Sequence, residues 1–416
     1  MRVIQKTKMK RPFNCAFAGL LVVFGTYTPI LCTQAPPLPT TNGIDPDLQK
    51  NADLGDPAAE FQLSVIYRKG LGVKPDQAMS VSWLRKVAEQ NYPNAEYDLG
   101  LCYELGQGVD KDESMAAQWF LKAANNDHIE ALKKMAGMLR EGRVVAKDEK
   151  EAFGMMNLAA QLGDMEAQEY LGDAYSHGSQ VPIDHGKSAV WYRKAAEQGD
   201  ARAQTELGVQ LEHGDGVAEN KAQAAEWYRK AAEQGYPRAE FSLGLCYAHG
   251  WGVSQDYAQS REWYEKAAAQ KNPNALVNLA LFYLNGQGIP KDEKKGYEYL
   301  RQAAEAGAVD AQFQLGIDAS EGFHGQPKDP KAAADWLRKA AEQGMPIAAY
   351  DLAMVIHTDA AETYFWLGVA IPRITNKLVK QATTLQGVAA ASLSADQRAA
   401  IDARIKEWLA THDQPD

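Results

Sequence analysis

Positive charge, cysteine and long apolar runs are all scarce in this chain, and each scarcity removes a class of function. Lys and Arg number 44 against 54 Asp and Glu, so the net charge is −10. That balance excludes a broad nucleic-acid footprint, which needs clustered cations to displace counterions. Cysteines number 4 in 416 residues. Two of them, Cys15 and Cys32, lie near the start. Only Cys102 and Cys246 remain beyond residue 35, which excludes a disulfide-stapled scaffold. Past residue 31 no stretch is long and apolar enough to cross a bilayer. The signatures G-x-S-x-G, H-E-x-x-H, Walker A and C-x-x-C are missing as well. The expectation is a chain with no catalytic residue, no metal and no cofactor. Hydrophobic residues make up 45% and charged residues 24%, so the chain is expected to fold. At 416 residues it exceeds what one ordinary core supports, leaving several domains or a repeat array.

The first 35 residues differ from the rest. Arg2, Lys6, Lys8, Lys10 and Arg11 form a basic segment, and Cys15 to Leu31 is apolar. The polar, Pro-rich TQAPPLPTT follows at 33–41. This is the layout of a secretory signal peptide. Thr33 and Ala35 suit positions −3 and −1 of a cleavage site, although Pro36 would follow the cut. Ile30-Leu31-Cys32 fits a lipoprotein signal badly. The alternative is a retained N-terminal anchor, short for a span and containing Gly25 and Pro29. Either way the chain is expected to be exported: periplasmic, envelope-associated or secreted. It would meet a membrane only through this segment, if retained.

What the chain has in abundance is repetition. A bulky residue precedes each Lys-Ala-Ala-type block, at Trp83, Trp119, Met155, Trp191, Trp227, Trp263, Tyr299 and Trp336. The block WYRKAAEQG is identical at 191–199 and 227–235, and WLRKAAEQG stands at 336–344. The period is 36 residues, with one step of 37. In the same register Ala59, Ala95, Ala131, Ala167, Ala203, Ala239, Ala275, Ala311 and Ala348 open a helix. Four residues later comes an apolar residue and then a small one, as in Leu207-Gly208 and Leu243-Gly244. With Tyr67, Tyr103, Tyr175, Tyr247 or Tyr283 they make one stripe at i, i+4 and i+8. The small residue should let the neighbouring helix come close.

A turn follows, as in Gly70-Leu71-Gly72-Val73 and Gly250-Trp251-Gly252-Val253. Its first Gly suits a helix C-terminus with positive φ, and its Val or Ile should plug the gap between two helices. Asp76, Asp112, Asp148, Asp184, Asn220, Asp256, Asp292 and Asp329 are then expected N-caps of second helices. Pro93, Pro237, Pro273 and Pro346 fit the first position of the next helix. No strand precedes these turns, so they are helix connections and not phosphate cradles. A ninth unit begins at Pro346 without the Gly loop and passes through Asp359 to a helix bearing Tyr364, Phe365 and Trp366. Two further helices follow Pro372, the second opened by a Ser394/Gln397 capping box, and should close the open end of the array.

These marks resemble the Sel-one-like repeat family, a branch of the tetratricopeptide-like helical repeats. Ala239, Leu243, Gly244, Tyr247, Gly250, Gly252, Val253, Asp256, Trp263, Tyr264, Lys266, Ala267 and Ala268 match its pattern in one unit. The resemblance implies an all-α fold: a right-handed α-solenoid superhelix of tandem helix-turn-helix repeats. The expected layout is signal peptide or anchor at 1–35, linker at 36–54, eight repeats at 55–345, a degenerate ninth at 346–371, and a helical cap and tail at 372–416. A secreted branch of the family bridges its two helices with paired cysteines in each repeat, and some of its members are described as β-lactamase-like. This chain lacks that pattern. Cys102 and Cys246 share one slot four repeats apart and should be buried and unpaired. His177, His213 and His249 also share a slot, at helix ends too far apart to hold one metal ion.

Such arrays expose a long concave groove lined by first helices. The residue before each register Leu varies: Gln62, Asp98, Lys134, Tyr170, Glu206, Ser242, Asn278 and Gln314. The residue two after it is mostly apolar, as at Leu101, Val209, Leu245 and Leu281. Variable polar groups beside an apolar strip suit protein or peptide recognition. The competing reading is that the strip packs between helices. The resemblance implies a non-catalytic adaptor of the cell envelope or secreted space. The alternatives are an envelope protein that binds cell-wall polymer or exopolysaccharide, and an activator subunit of an envelope enzyme. A glycan binder would need free aromatic faces, and most aromatics here hold register positions with core roles.

Overall fold

The computed structural model describes residues 43–323 and 327–412, so the expected signal segment lies outside the described residues. The described residues are helical throughout, without a strand. The chain falls into two compact units, divided between Ala131 and Leu132.

The first unit holds α1 (Pro46–Asp53), α2 (Pro57–Lys69), α3 (Gln77–Glu89), α4 (Pro93–Leu105) and α5 (Glu113–Asn125). The helix α6 (Ile129–Glu141) spans the division. The second unit continues with α7 (Glu149–Gln161), α8 (Met165–His177), α9 (His185–Glu197), α10 (Ala201–His213), α11 (Lys221–Glu233), α12 (Pro237–His249) and α13 (Tyr257–Ala269). Then come α14 (Pro273–Asn285), α15 (Glu293–Glu305), α16 (Val309–Glu321), α17 (Pro330–Glu342), α18 (Pro346–Val355), α19 (Ala360–Ala370), α20 (Asn376–Ala391) and α21 (Ala395–His412). From α1 to α5 and from α7 to α20 helices adjacent in sequence pack on each other, and α21 packs on α19. One expectation needs correcting. The linker expected at 36–54 contains α1, whose Asp45 caps Asp47 and whose Pro46 opens the helix. Its Ala52 is buried, and Ile44 and Leu48 pack against the cluster of Ala59, Leu63 and Ile66.

Local chemistry sets the helix lengths. All eight expected second-helix caps accept a hydrogen bond from a first-turn N–H. Among the first helices, Asp56, Asp164, Asp200 and Asn272 do the same. Tyr92, Tyr236 and Met345 supply no capping oxygen, and a proline follows each one. That proline removes one N–H which would otherwise lack a partner. The loop apolars Val73, Val109, Val217, Val253 and Ile289 pack against the cores beside them.

Close packing is written into one pair of positions. Tyr192, Tyr228 and Tyr264 are fully buried. Each lies on the small register residue of the preceding helix. A Cβ added to Gly244 would stand 2.5 Å from the Tyr264 ring, and one added to Gly208 would stand 2.5 Å from the Tyr228 ring. Gly100 takes Phe120 in the same way, and Gly172 takes Tyr192. Where the small residue carries a Cβ, as at Ser64, Ala136 and Ala280, the facing register position holds Leu84, Met156 or Leu300 instead of an aromatic. The second loop glycine has a different duty. Gly252, at φ +70, lies so close to the carbonyl of Lys221, at the start of α11, that a side chain has no room.

The ninth pair departs from this frame. Its first helix, α18, has 10 residues where α16 has 13. Beyond it Leu367, Ala382 and Ile401 join Leu337, Leu352 and Trp366 in one cluster. The expected capping box is present: Ser394 N–H donates to Gln397 Oε1 at 2.9 Å, and Gln397 N–H to Ser394 Oγ at 3.2 Å.

Candidate functional site

The candidate residues sit on the first helix of each pair, three positions apart and therefore on one helix face. In the first unit Gln62 on α2 and Asp98 and Leu101 on α4 are half-buried. In the second unit Lys134, Tyr170, Glu206, Val209, Ser242, Leu245 and Asn278 are half-buried, and Gln314 is exposed. Leu281 is 44% exposed in the middle of α14. None of the twelve belongs to the buried set. The first helices α10 and α12 touch each other directly, and Arg238 of α12 reaches Glu206 of α10.

The electrostatics divide this face. In the first unit, burial pushes the Asp98 carboxyl up, and Arg68 pulls it back. The neighbouring Cys102 thiol is pushed up to about 11, chiefly by burial. In the second unit, charge concentrates on α8, α10 and α12 and is internally matched. Arg202 donates to both carboxylate oxygens of Asp173, at 2.8 and 3.0 Å, and also reaches Glu169. Tyr192 donates to Asp173 at 2.5 Å, and Arg238 pairs with Glu206. Tyr170 donates to Gln180 Oε1 at 2.7 Å. From α12 to α16 the face becomes uncharged: Ser242, Asn278 and Gln314 alternate with Leu245, Leu281 and Ile317. Leu245 and Ile317 are partly packed on the cores below, which leaves Leu281 as the open apolar group.

Other singled-out residues have local roles. His177 and His213 place Nδ1 at 3.0 Å from the carbonyls of Asp173 and Val209, one turn back. His249 stacks on Trp251 with centroids 4.6 Å apart. Among the described residues no three His, Cys, Asp or Glu side chains cluster so as to hold a metal ion. Cys246 is buried and unpaired, as expected, but Cys102 is only half-buried. The register tryptophans also need correcting. Apart from Trp83 they are half-buried, and the residue after them carries the core. A lysine one turn on lies over the indole: Lys194 is 4.0 Å from the Trp191 centroid, Lys230 3.9 Å from Trp227 and Lys266 3.6 Å from Trp263.

One pairing escaped the sequence reading. The residue after each register Ala meets a residue about 30 positions later, at the end of the second helix. Gln90 donates to Glu60 at 2.7 Å, Gln198 to Gln168 at 2.8 Å, Gln234 to Gln204 at 2.9 Å, and Gln270 to Glu240 at 3.0 Å. The same Gln often reaches a glycine carbonyl as well, as Gln198 reaches Gly163 at 3.0 Å. Where the first member is Leu132 or Leu276, the second is Leu162 or Ala306. A buried amide needs a partner and a buried leucine does not, so the two positions change together. The signal was a polar pair kept at one spacing across repeats.

The repeat register, the glycine turns and the packed helix pairs match the Sel1 repeat at residues 57–92, 93–128, 129–164, 166–200, 201–236, 237–272, 273–307 and 309–345. The chain belongs to the Sel1-repeat family. It is similar to the solved structure of a Sel1 repeat protein from Oxalobacter formigenes, with 30% identity and a TM-score of 0.57 over 74% of this chain and 89% of that one. It is also similar to a protective antigen present in uropathogenic Escherichia coli strains, which displays the SLR fold. That likeness has 27% identity and a TM-score of 0.56 over 89% of this chain and 95% of the other. No curated protein matches the chain in sequence. Sel1 repeats generally mediate protein–protein interaction, and Sel1-repeat proteins are typically non-catalytic scaffolds.

Proposed function

We propose that this Sel1-repeat protein is an adaptor of the cell envelope or secreted space that binds a partner protein or peptide through its first-helix face. The observation that carries the reading is the uncharged strip of the second unit. There Leu281 is 44% exposed in mid-helix, and Ser242, Asn278 and Gln314 flank the row. An exposed leucine among short amide and hydroxyl side chains offers an apolar anchor with neutral hydrogen-bonding groups around it. The ion pairs on α8, α10 and α12 suit selectivity more than affinity, because each charge already has a partner. A glycan ligand fits less well, since lysine ammonium groups lie over the indoles on α9, α11 and α13.

The export reading rests on residues 1–35, with their basic segment and apolar run. Sel1 proteins of bacteria are often envelope or secreted proteins, and the similar E. coli protein is a protective antigen. Among the described residues no helix is long and apolar enough to cross a membrane. Fractionation of the native host with an antibody against the chain tests this. The reading expects the protein outside the cytoplasm, and a wholly cytoplasmic protein would overturn it.

A further inference from the structure

The ninth pair carries a further surface, in which Met354, two residues after register Leu352, holds the slot that Leu281 holds in α14. Met354 stands in the last turn of α18, a helix three residues shorter than α16, beside α20. An open cavity of about 480 Å³ lies there, lined by Met354 and by Lys377, Lys380, Gln381, Leu385 and Val388 of α20, with Thr384 between. The α20 residues are spaced i, i+3, i+4, i+8 and i+11, which is one continuous stripe along that helix. The stripe is polarised. Its N-terminal end carries two lysines, and its C-terminal end carries Leu385 and Val388. Val388 is 63% exposed and Met354 is 38% exposed.

The charge of this stripe is unusual for the chain. The 16 residues of α20 contain no Asp or Glu, in a protein of net charge −10. Among the described residues neither Lys377 nor Lys380 has a carboxylate within ion-pair distance. Elsewhere some lysines at helix starts are paired, as Lys291 is with Glu293 at 2.6 Å and Lys147 with Glu149 at 2.7 Å. Lysines in the first turns of a helix also oppose its dipole, and Thr375 makes no side-chain cap there to offset them. The unpaired cations and the open N-terminus together make a positive end, and an apolar shelf continues from it.

We propose that this groove binds an acidic amphipathic helix of a partner protein. Its carboxylates would meet Lys377 and Lys380, and its apolar residues would cover Met354, Leu385 and Val388. Helix-in-groove recognition uses anchors at this spacing. A bilayer is a poorer occupant, because two lysines pull only weakly on an anionic surface.

The test uses the full chain and a labelled synthetic helix as long as α20, with glutamates at one end and leucines along one face. Fluorescence anisotropy compares it with the same peptide carrying lysines for glutamates, and with phosphatidylglycerol vesicles. The proposal expects the acidic peptide to bind and the basic one not to. Lys377→Glu with Lys380→Glu should weaken the acidic peptide by about tenfold or more and let the basic peptide bind. Val388→Asp should weaken both combinations, while unchanged circular dichroism shows that the variants are folded. Equal binding of the two peptides overturns the proposal. So does acidic-peptide binding that survives both the lysine reversal and Val388→Asp. Binding to vesicles but not to the peptide would assign the groove to membrane.

Discussion

Replacing Gly244 by alanine tests whether the aromatic register is held by contact. Two effects oppose each other. Alanine stabilises a helix interior by about 0.8–1 kcal/mol relative to glycine. The added methyl, however, would stand 2.5 Å from Cδ1 and Cε1 of Tyr264, a ring buried to 1% exposure between Phe241 and Phe282. That ring cannot swing out, so α12 and α13 must separate, and overpacking of this kind costs about 1–3 kcal/mol. The expected net is a loss of about 1 kcal/mol, the middle of a range of about 0–2. Two controls sharpen it. Gly154 lies in α7 with nothing within 4 Å of its added Cβ, so Gly154→Ala should stabilise by about 0.5–1 kcal/mol. Tyr264→Leu combined with Gly244→Ala recreates the native Ala280/Leu300 pair, so the double variant should lose less than the sum of the singles. Because repeats open locally, amide hydrogen exchange of α12 and α13 is the suitable assay. If Gly244→Ala stabilises as Gly154→Ala does, or if the double variant is strictly additive, the contact argument fails.

Three further predictions follow the same physics. Val144 holds the second-glycine slot of its loop at φ +71, which strains a β-branched residue, so Val144→Gly should stabilise by about 1 kcal/mol in urea unfolding. Asp256 accepts from the N–H groups of Ala258 and Gln259, so Asp256→Ala should cost about 1 kcal/mol and speed exchange in the first turn of α13, while Asp256→Asn should cost much less. Burial pushes the Asp351 carboxyl up to about 6, above its value near 4 in the unfolded chain. The folded state therefore holds that proton more tightly, and this group's contribution to stability falls as pH rises from about 4 to 6. Asp351→Asn should then stabilise by about 1–2 kcal/mol at pH 7 and make little difference at pH 4, as read by urea midpoints at the two values.

Much of the architecture was legible because each repeat restates it. The Asp caps, the glycine turns and the Ser394/Gln397 box use local rules, and local rules survive without tertiary knowledge. What was missed is tertiary. Trp191 and Tyr192 are adjacent and equally bulky, and only the packing of α9 on α8 tells which one is buried. The Gln198–Gln168 rung joins residues too far apart for a periodic stripe to show. The helix α1 hides behind a Pro-rich run that reads as linker, although Asp45-Pro46 is a sound start signal. On the candidate face the sequence showed which positions vary. It did not show that Glu206 is held by Arg238, or that Leu281 is more open than Leu245.

The central claim is that the first-helix face meets the partner. The most direct test places a photo-crosslinking amino acid at Leu281 on α14 or, as control, at Val190 on α9, which is 54% exposed on a second helix. Each variant is expressed in the native host, irradiated, and its adducts are identified by mass spectrometry. The account predicts one recurrent protein adduct from position 281, lost when Leu245 is changed to Asp in a chain of unchanged helicity, and none from position 190. Adducts from position 190 with none from 281 would contradict it and move the interface to the second helices.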